Sequence, residues 1–529
     1  MSTVTSTQNA VIAQVAPQAV EFCDLPALIA QSAKARPESI AIIDGKRRIN
    51  YATLDKMVDQ VGASLQRDRV APKQVIAICA ATNAEYIAVF LGALRAGIAV
   101  APLATSATPE QLLAMLRDAN SQKLFVDGAT AEALFAAGIG IPNVVALSAL
   151  ESDRHPSLQT WLVADSVKPI PVIIEPDWAF NIIYSSGTTG TPKGIVQSHH
   201  MRWLQAQYTP LLGFGLGTLT MVATPLYSNT TMTTLLPTLA FGGCLVLMAK
   251  FDARAYLKLA QEEAATHGML VPVQYQRLMA LKDFSRFDLK SFRVKFCTSS
   301  PLSAALKADV IARWPGILIE YYGMTEGGGT CMLLANQHPN KLHTVGQPVP
   351  GHDIRLIDEQ GIEVNKGQIG EVVGRSTTMM TGYHNQPTQT SETEWFDSEG
   401  NRFIRTGDIG RFDEDGFLSL LDRRKDMIIS GGFNIYPSDL EAVLIQHPAV
   451  AHVAVVGVPS AEWGETPVAF VVRRLNDRTD PNEILSWANQ KLGKTQRLAS
   501  VRLVSELPRS TIGKILKREL REFWNDSTL

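Results

Sequence analysis

Phe180-Asn181-Ile182-Ile183-Tyr184-Ser185-Ser186-Gly187-Thr188-Thr189-Gly190-Thr191-Pro192-Lys193-Gly194 begins as a buried strand and then changes character abruptly. Phe180–Tyr184 is apolar enough for a strand interior, and Ser185–Gly194 is a loop of Gly, Ser and Thr with a single Lys and a single Pro. Such a loop at a strand end can turn several backbone N–H groups and hydroxyls onto a phosphate chain. Its glycines permit the close approach and positive φ this requires. It is not a Walker A loop, because Pro192 and not Gly precedes Lys193. The bland alternative is a polar hairpin turn, and the density of small polar residues weighs against it.

Outward from this stretch, short apolar runs alternate with helix-period segments. Ala84–Arg95 has helical spacing and leads into the strand-like Ile98-Ala99-Val100-Ala101. Phe292–Cys297 reads as a strand, Ser303 as the cap of a helix through about Trp314, and Ile317–Tyr322 as the next strand. Strand–helix–strand alternation predicts an α/β body with mainly parallel sheets. Past about residue 425 the pattern changes. Asp439–His447 and Pro481–Leu492 read as helices, and Val450–Val458, Val468–Arg473 and Val501–Val504 as strands. A basic amphipathic helix follows from about Gly513 to Trp524. That is a small α+β unit with room for its own core. The charged run Asp422-Arg423-Arg424-Lys425-Asp426 between the two reads equally well as a solvated turn or a linker.

The chain has 529 residues, too many for one core. Its composition, 46% hydrophobic and 19% charged, is that of a globular protein. A net charge of −2 supplies no field for nucleic acid or an anionic membrane, so neither is expected as a partner. Cys23, Cys79, Cys244, Cys297 and Cys331 are scattered, which suits buried small hydrophobes in a reducing compartment. Residues 1–20 read as a flexible leader without secretory features. The apolar stretches Ile87–Ala104 and Leu211–Met248 are interrupted by Arg95 and by Ser228-Asn229-Thr230, so no membrane span is expected. A cytoplasmic location follows as the expectation.

Tyr184–Gly194 resembles the phosphate-loop signature of the adenylate-forming superfamily, which includes acyl-CoA synthetases, luciferase and peptide-synthetase adenylation domains. Four more segments fit that family in order: Tyr322-Gly323-Met324-Thr325-Glu326; Arg405-Thr406-Gly407-Asp408; Asp422 to Pro437 with Ser430-Gly431-Gly432; and Pro508-Arg509-Ser510-Thr511-Ile512-Gly513-Lys514. The resemblance implies a large α/β N-terminal domain of several packed sheets and helices, residues 21–424. A small mobile α+β C-terminal domain, residues 425–529, would follow with Lys425 as hinge.

The resemblance also implies roles. Ser185, Ser186, Gly187, Thr189, Gly190, Thr191 and Lys193 would hold the phosphates of ATP. Ser299, Ser300, Pro301, Tyr321, Tyr322, Gly323, Met324 and Thr325 would complete the nucleotide site. Tyr322 would stack on adenine, and Asp408, helped by Arg423, would take the ribose hydroxyls. Glu326 and Thr188 would hold Mg²⁺. Lys514 would bridge the carboxylate and phosphates during adenylation, offsetting the charge that crowds there. Ser430, Gly431 and Gly432 would border the pantetheine channel for coenzyme A after the small domain swings. Trp463 would either line that channel or be a buried structural residue.

Where many members carry an aromatic or His after Pro-Leu-Tyr, this chain has Ser228-Asn229-Thr230, and Gly327-Gly328-Gly329 follows Glu326. Tyr227, Ser228, Asn229, Gly327 and Gly328 are therefore the substrate candidates, the glycines removing bulk from a pocket wall. Lys494-Thr495-Gln496-Arg497 lacks the Lys-x-Pro often seen. The expected activity is an AMP-forming carboxylate–CoA ligase acting on an aromatic or phenylpropenoic acid. A medium-chain fatty acid is the close competitor. A stand-alone amino-acid adenylation protein would need a carboxylate near Tyr227–Thr230, and a non-catalytic nucleotide-binding module would not need Lys514, Glu326 and Asp408 together. A homodimer, and a lysine acetyltransferase acting on Lys514, complete the expected partners.

Overall fold

The alternation around the phosphate-loop stretch becomes two large sheets in the computed structural model, which describes residues 21–138, 143–148, 155–185, 193–430, 433–460, 463–493, 496–510 and 513–526. In the seven-stranded sheet, Val144–Ala146, Ser121–Val126, Val75–Cys79, Ala99–Pro102 and Ala179–Ser185 lie side by side and parallel. Lys193–Ser198 and Gly382–Tyr383 then finish one edge antiparallel. The nine-stranded sheet has a parallel centre of Ile317–Tyr322, Val294–Cys297, His267–Leu270, Leu219–Val222, Cys244–Leu247 and Ile40–Asp44. Of these, Val294–Cys297, His267–Leu270 and Cys244–Leu247 are buried along their whole length, as strands covered on both faces must be.

One apolar cluster ties these sheets together through the helices Tyr51–Arg67, Ala84–Arg95 and Asn229–Ala240, joining Ile76, Val100 and Phe125 to Ile42, Val222 and Leu245. Each such side chain contributes about 1.5–3 kcal/mol of burial. The helices start where the sequence offers a capping oxygen. Asn83 accepts from Tyr86 N–H at 2.7 Å, and Ser303 caps Ala304–Arg313 through Leu306 N–H.

The chain divides into two compact units: residues 1–342, 348–353 and 374–404, and residues 343–347, 354–373 and 405–529. In the second unit the later part of the strand Arg402–Phe412, from Asp408 on, pairs antiparallel with Leu418–Arg423. A further sheet joins Phe433–Ile435, Ile428–Ser430, Gly464–Arg473 and Val450–Ser460, and Ser500–Leu503 pairs parallel with Gly464–Arg473. Along Val450–Ser460 alternate residues enter different cores, Val453 and Val455 on one face, Ala454 and Val456 on the other. The residue-425 boundary read from the sequence falls inside this second unit.

Two sequence expectations need correction. The last helix runs Lys517–Asp526, because Ile515 instead bridges to Arg509 and Gly513 adopts φ +81°. Trp463 is 52% exposed, which removes the buried structural reading.

Candidate active site

Ala179–Ser185 and Lys193–Ser198 pair antiparallel, with Tyr184 opposite Gly194 and Ser185 opposite Lys193. The phosphate-loop candidate therefore spans the connection between two antiparallel strands. Ser186, Gly187, Thr188, Thr189, Gly190 and Thr191 lie outside the described residues, as do Gly431 and Gly432. Both ends of the hairpin are clamped. The Tyr184 hydroxyl donates to Asp118 at 2.6 Å, and Lys193 Nζ sits 5.0 Å from the centre of the Tyr383 ring.

Glu326 ends the segment after the strand Ile317–Tyr322. Its Oε1 accepts from the Tyr383 hydroxyl at 2.9 Å, and its backbone carbonyl accepts from Met380 N–H at 2.8 Å. Burial, then the Glu326 charge, pushes the Tyr383 phenol well above its ordinary value, so it remains a donor. Met324 packs with Ile195, Met380, Tyr383 and Ile404. A single carboxylate held by one neutral donor suits Mg²⁺, which takes one or two carboxylates and completes its shell with water and substrate phosphate. Among the described residues there is no cluster of three or more His, Cys, Asp or Glu that could hold a metal by itself.

The alternation of Ile317–Tyr322 separates the two tyrosines. Tyr321 stacks on Phe296 at 5.9 Å with 12° between the rings, in an apolar cluster with Phe214 and Ile319. Its ring thus packs in the core, while Tyr322 falls on the opposite face. Beneath them Glu320 forms a fully buried ion pair with Lys307 and accepts from Leu302 N–H at 3.3 Å. Burial raises the Glu320 pKa and Lys307 opposes the rise. The pair anchors the turn that carries Ser299, Ser300 and Pro301, and Ser299 adopts φ +83°. The Ser299 hydroxyl lies 2.7 Å from that of Thr230.

Ser228 caps the helix Asn229–Ala240 by accepting from Thr230 N–H, and Asn229 Oδ1 accepts from Gln197 at 3.4 Å. Tyr227 precedes this cap, half-buried. Gly327 and Gly328 need a different explanation from the pocket one. Both have positive φ, +81° and +84°. A Cβ on Gly327 would lie 1.9 Å from the Thr378 carbonyl oxygen, and one on Gly328 would lie 2.9 Å from that of Gly374. Close backbone approach is thus by itself enough to require glycine at both positions.

In the second unit Asp408 and Arg423 are partners in register, with Arg423 Nε 3.1 Å from Asp408 Oδ1. Arg405 and Arg424 both meet the buried Glu371. Lys425 lies in the single turn Arg424–Asp426, and burial first, with neighbouring arginines, lowers its pKa. Ser430 pairs with Phe433 and with Gly464. Lys514 is exposed on a turn whose backbone is internally bonded, its N–H donating to Ser510 Oγ and its carbonyl accepting from Ser510 N–H at 2.8 Å.

A family model described as AMP-binding enzyme matches residues 29–384, and a second, described as AMP-binding enzyme C-terminal domain, matches residues 439–514. The chain belongs to the AMP-binding enzyme family. The adenylate-forming resemblance read from five motifs, and the large α/β part with its smaller partner, are thereby borne out. The chain is 31% identical over 92% of its length to a feruloyl-CoA synthase of an Amycolatopsis species, covering 96% of that protein. It is 28% identical over 94% of its length to the long-chain-fatty-acid–CoA ligase FadD13 of Mycobacterium tuberculosis, covering 97% of it. The crystal structure of ATP-bound MatB from Rhodopseudomonas palustris superposes with a TM-score of 0.84 at 28% identity, covering 95% of this chain and 99% of that one. Among the described residues no helix is long and apolar enough to cross a membrane.

Sequence reasoning missed Tyr383, Asn181, Gln197 and Arg202. Gln197 does leave a signal, a lone amide ending the apolar run Ile195-Val196 in a strand that should be buried. Arg202 leaves none, since a cation on an amphipathic helix reads as surface.

Proposed function

We propose that this protein is an ATP-dependent, AMP-forming carboxylate–CoA ligase acting on an aromatic or phenylpropenoic acid. The observation that carries this is the presence in one chain of both family parts, the second ending on Lys514. In the first half-reaction a carboxylate oxygen attacks the α-phosphorus of ATP, and the bond to pyrophosphate breaks. In the second, the CoA sulfur attacks the acyl carbon, and the bond to AMP breaks.

The roles proposed for the chain follow from donor chemistry. The hairpin turn after Ser185, with Lys193, holds the phosphates, and Glu326, fixed by Tyr383, holds Mg²⁺ with Thr188. When bound, that ion neutralises phosphate charge. Tyr322 stacks on adenine, and Asp408 takes the ribose hydroxyls with Arg423 beside it. Lys514, which is exposed, supplies the charge that bridges carboxylate and phosphate. Lys425 is the pivot by which the small part changes its role between half-reactions, bringing Ser430–Gly432 to the pantetheine.

The aromatic preference is supported by the likeness to feruloyl-CoA synthase, and the fatty-acid reading by the likeness to FadD13. A cytoplasmic location, a homodimer and silencing by acetylation of Lys514 belong to the same reading. The test is a panel of phenylpropenoic, benzoic and fatty acids assayed for pyrophosphate release with and without CoA. Release with phenylpropenoic acids and thioester formation only with CoA is the expected result. Preference for a fatty acid would transfer the assignment to the second reading, and no release with any acid would sink both.

A further inference from the structure

Arg202 is 1% exposed, and among the described residues no carboxylate stands within ion-pair distance of it. Burial alone pulls its pKa down to about 9. Its polar partners are amides. Nε–H and one Nη–H both donate to Asn181 Oδ1, at 3.0 and 2.9 Å, and the other Nη donates to Gln205 Oε1 at 3.0 Å. Asn181 Nδ2 donates to Gln197 Oε1 at 3.0 Å. Gln197 Nε2 in turn donates to the Thr325 carbonyl at 2.7 Å and to Asn229 Oδ1 at 3.4 Å. Asn181 and Gln197 are fully buried.

The direction of this chain is forced at both ends. A guanidinium can only donate, and a backbone carbonyl can only accept. Neither amide between them can turn over without setting two acceptors or two donors face to face. Asn181 and Gln197 stand on the two strands of the phosphate-loop hairpin, Thr325 precedes Glu326, and Asn229 opens the helix after Tyr227. A buried cation with no counter-ion is costly to retain as a packing element alone.

We propose that Arg202, Asn181 and Gln197 are positioning residues that fix, through one-way hydrogen bonding, the Thr325–Glu326 segment against the phosphate-loop hairpin and the amide orientation of Asn229. The relay holds the Thr325 carbonyl in place and leaves Asn229 presenting its NH₂ as a donor on the side away from Gln197. This rests on the ligase reading only for the identity of what Asn229 faces. The polarity itself is a property of the chain.

Asn181→Asp separates the relay from mere packing. The new carboxylate pairs with Arg202 but cannot donate to Gln197, so Gln197 turns over and offers its oxygen to the Thr325 carbonyl. The melting temperature is expected at or above that of the native protein, while the dissociation constant for ATP·Mg rises at least about tenfold, as for a displaced positioning group. A structural residue would move both in the same sense. Unchanged ATP·Mg affinity in folded Asn181→Asp would overturn the proposal. Should that variant fail to fold, Gln197→Met, close in shape but without donors, is expected to bind ATP·Mg at least about tenfold more weakly, and native affinity would overturn it equally. Calorimetry with ATP·Mg needs no acid, so a native protein that releases no pyrophosphate sinks the ligase reading while this comparison still decides the relay.

Discussion

The Tyr383 hydroxyl donates to Glu326 Oε1 at 2.9 Å, while the face of the same ring lies 5.0 Å from Lys193 Nζ. One aromatic side chain therefore touches the acidic end of the Tyr322–Glu326 motif and the basic end of the phosphate-loop hairpin. Tyr383→Phe keeps the ring and its cation contact and removes only the donor. Losing a hydrogen bond to a charged group typically costs about 1.5–3 kcal/mol, and partial exposure of Glu326 puts the loss at the lower end. A rise of about tenfold in the ATP·Mg dissociation constant is expected, read by calorimetry, with little change in melting temperature.

Lys514→Ala should block acid-dependent pyrophosphate release by about 10²–10³. Thioester formation from synthetic acyl-AMP and CoA should survive. The backbone N–H and carbonyl of Lys514 that bond to Ser510 are unaffected by the substitution. Equal slowing of both half-reactions would contradict the assignment. Acetylated Lys514, identified by mass spectrometry, should behave like the alanine variant and recover on deacetylation.

Gly328→Leu is expected to lower the melting temperature and not to re-rank acids by size. The strained φ alone costs about 1–2 kcal/mol, and the Cβ would also crowd the Gly374 carbonyl. Gly327→Ala should be worse, because its Cβ would overlap the Thr378 oxygen. A Gly328→Leu protein that melts normally and merely prefers smaller acids would restore the pocket-wall reading.

His267 makes a prediction about acid. It is fully buried, with Nε2 3.1 Å from the Leu212 carbonyl and Nδ1 2.8 Å from the Thr266 hydroxyl. Burial lowers its pKa to about 4, so the folded state favours the neutral ring. Between pH 6.5 and 4 the unfolded chain binds the extra proton, and stability falls as pH falls through that window. At about 1.36 kcal/mol per pH unit the loss reaches about 3 kcal/mol. Melting temperature against pH should fall less steeply over this window in His267→Gln than in the native protein. Parallel profiles would assign the acid lability elsewhere.

The strands and helices of the α/β body were legible because burial on both faces leaves apolar runs and because helix starts carry capping oxygens. Ala84–Arg95 and Ile317–Tyr322 match their expected bounds. The last helix was misplaced because Gly513-Lys514-Ile515-Leu516 fits a helical pattern locally, whereas Arg509 pairing with Ile515 is a non-local choice. Motifs mark Glu326, Asp408 with Arg423, and Lys514 as candidates directly in the sequence. What motifs do not mark was not legible. Tyr383 reaches Glu326 across 57 positions of sequence, and the Asn181–Gln197 amide pair exists only once two strands are in register. The packing of the Tyr321 ring and the backbone demand for glycine at 328 were illegible for the same reason, since both depend on pleat and φ rather than on the motif that contains them.

The antiparallel pairing of Ala179–Ser185 with Lys193–Ser198 has an engineering consequence. The register of the sheet is set below the turn, by the ladder from Tyr184–Gly194 to Ala179–Ser198 and by the Asp118 anchor on Tyr184. The seven positions from 186 to 192 lie outside the residue pairs of that ladder. Exchanging that segment between Ser185 and Lys193 for one from a protein that grips another phosphorylated group is therefore expected to leave the register of the two strands intact. The scaffold and its reagent grip can then be altered one at a time.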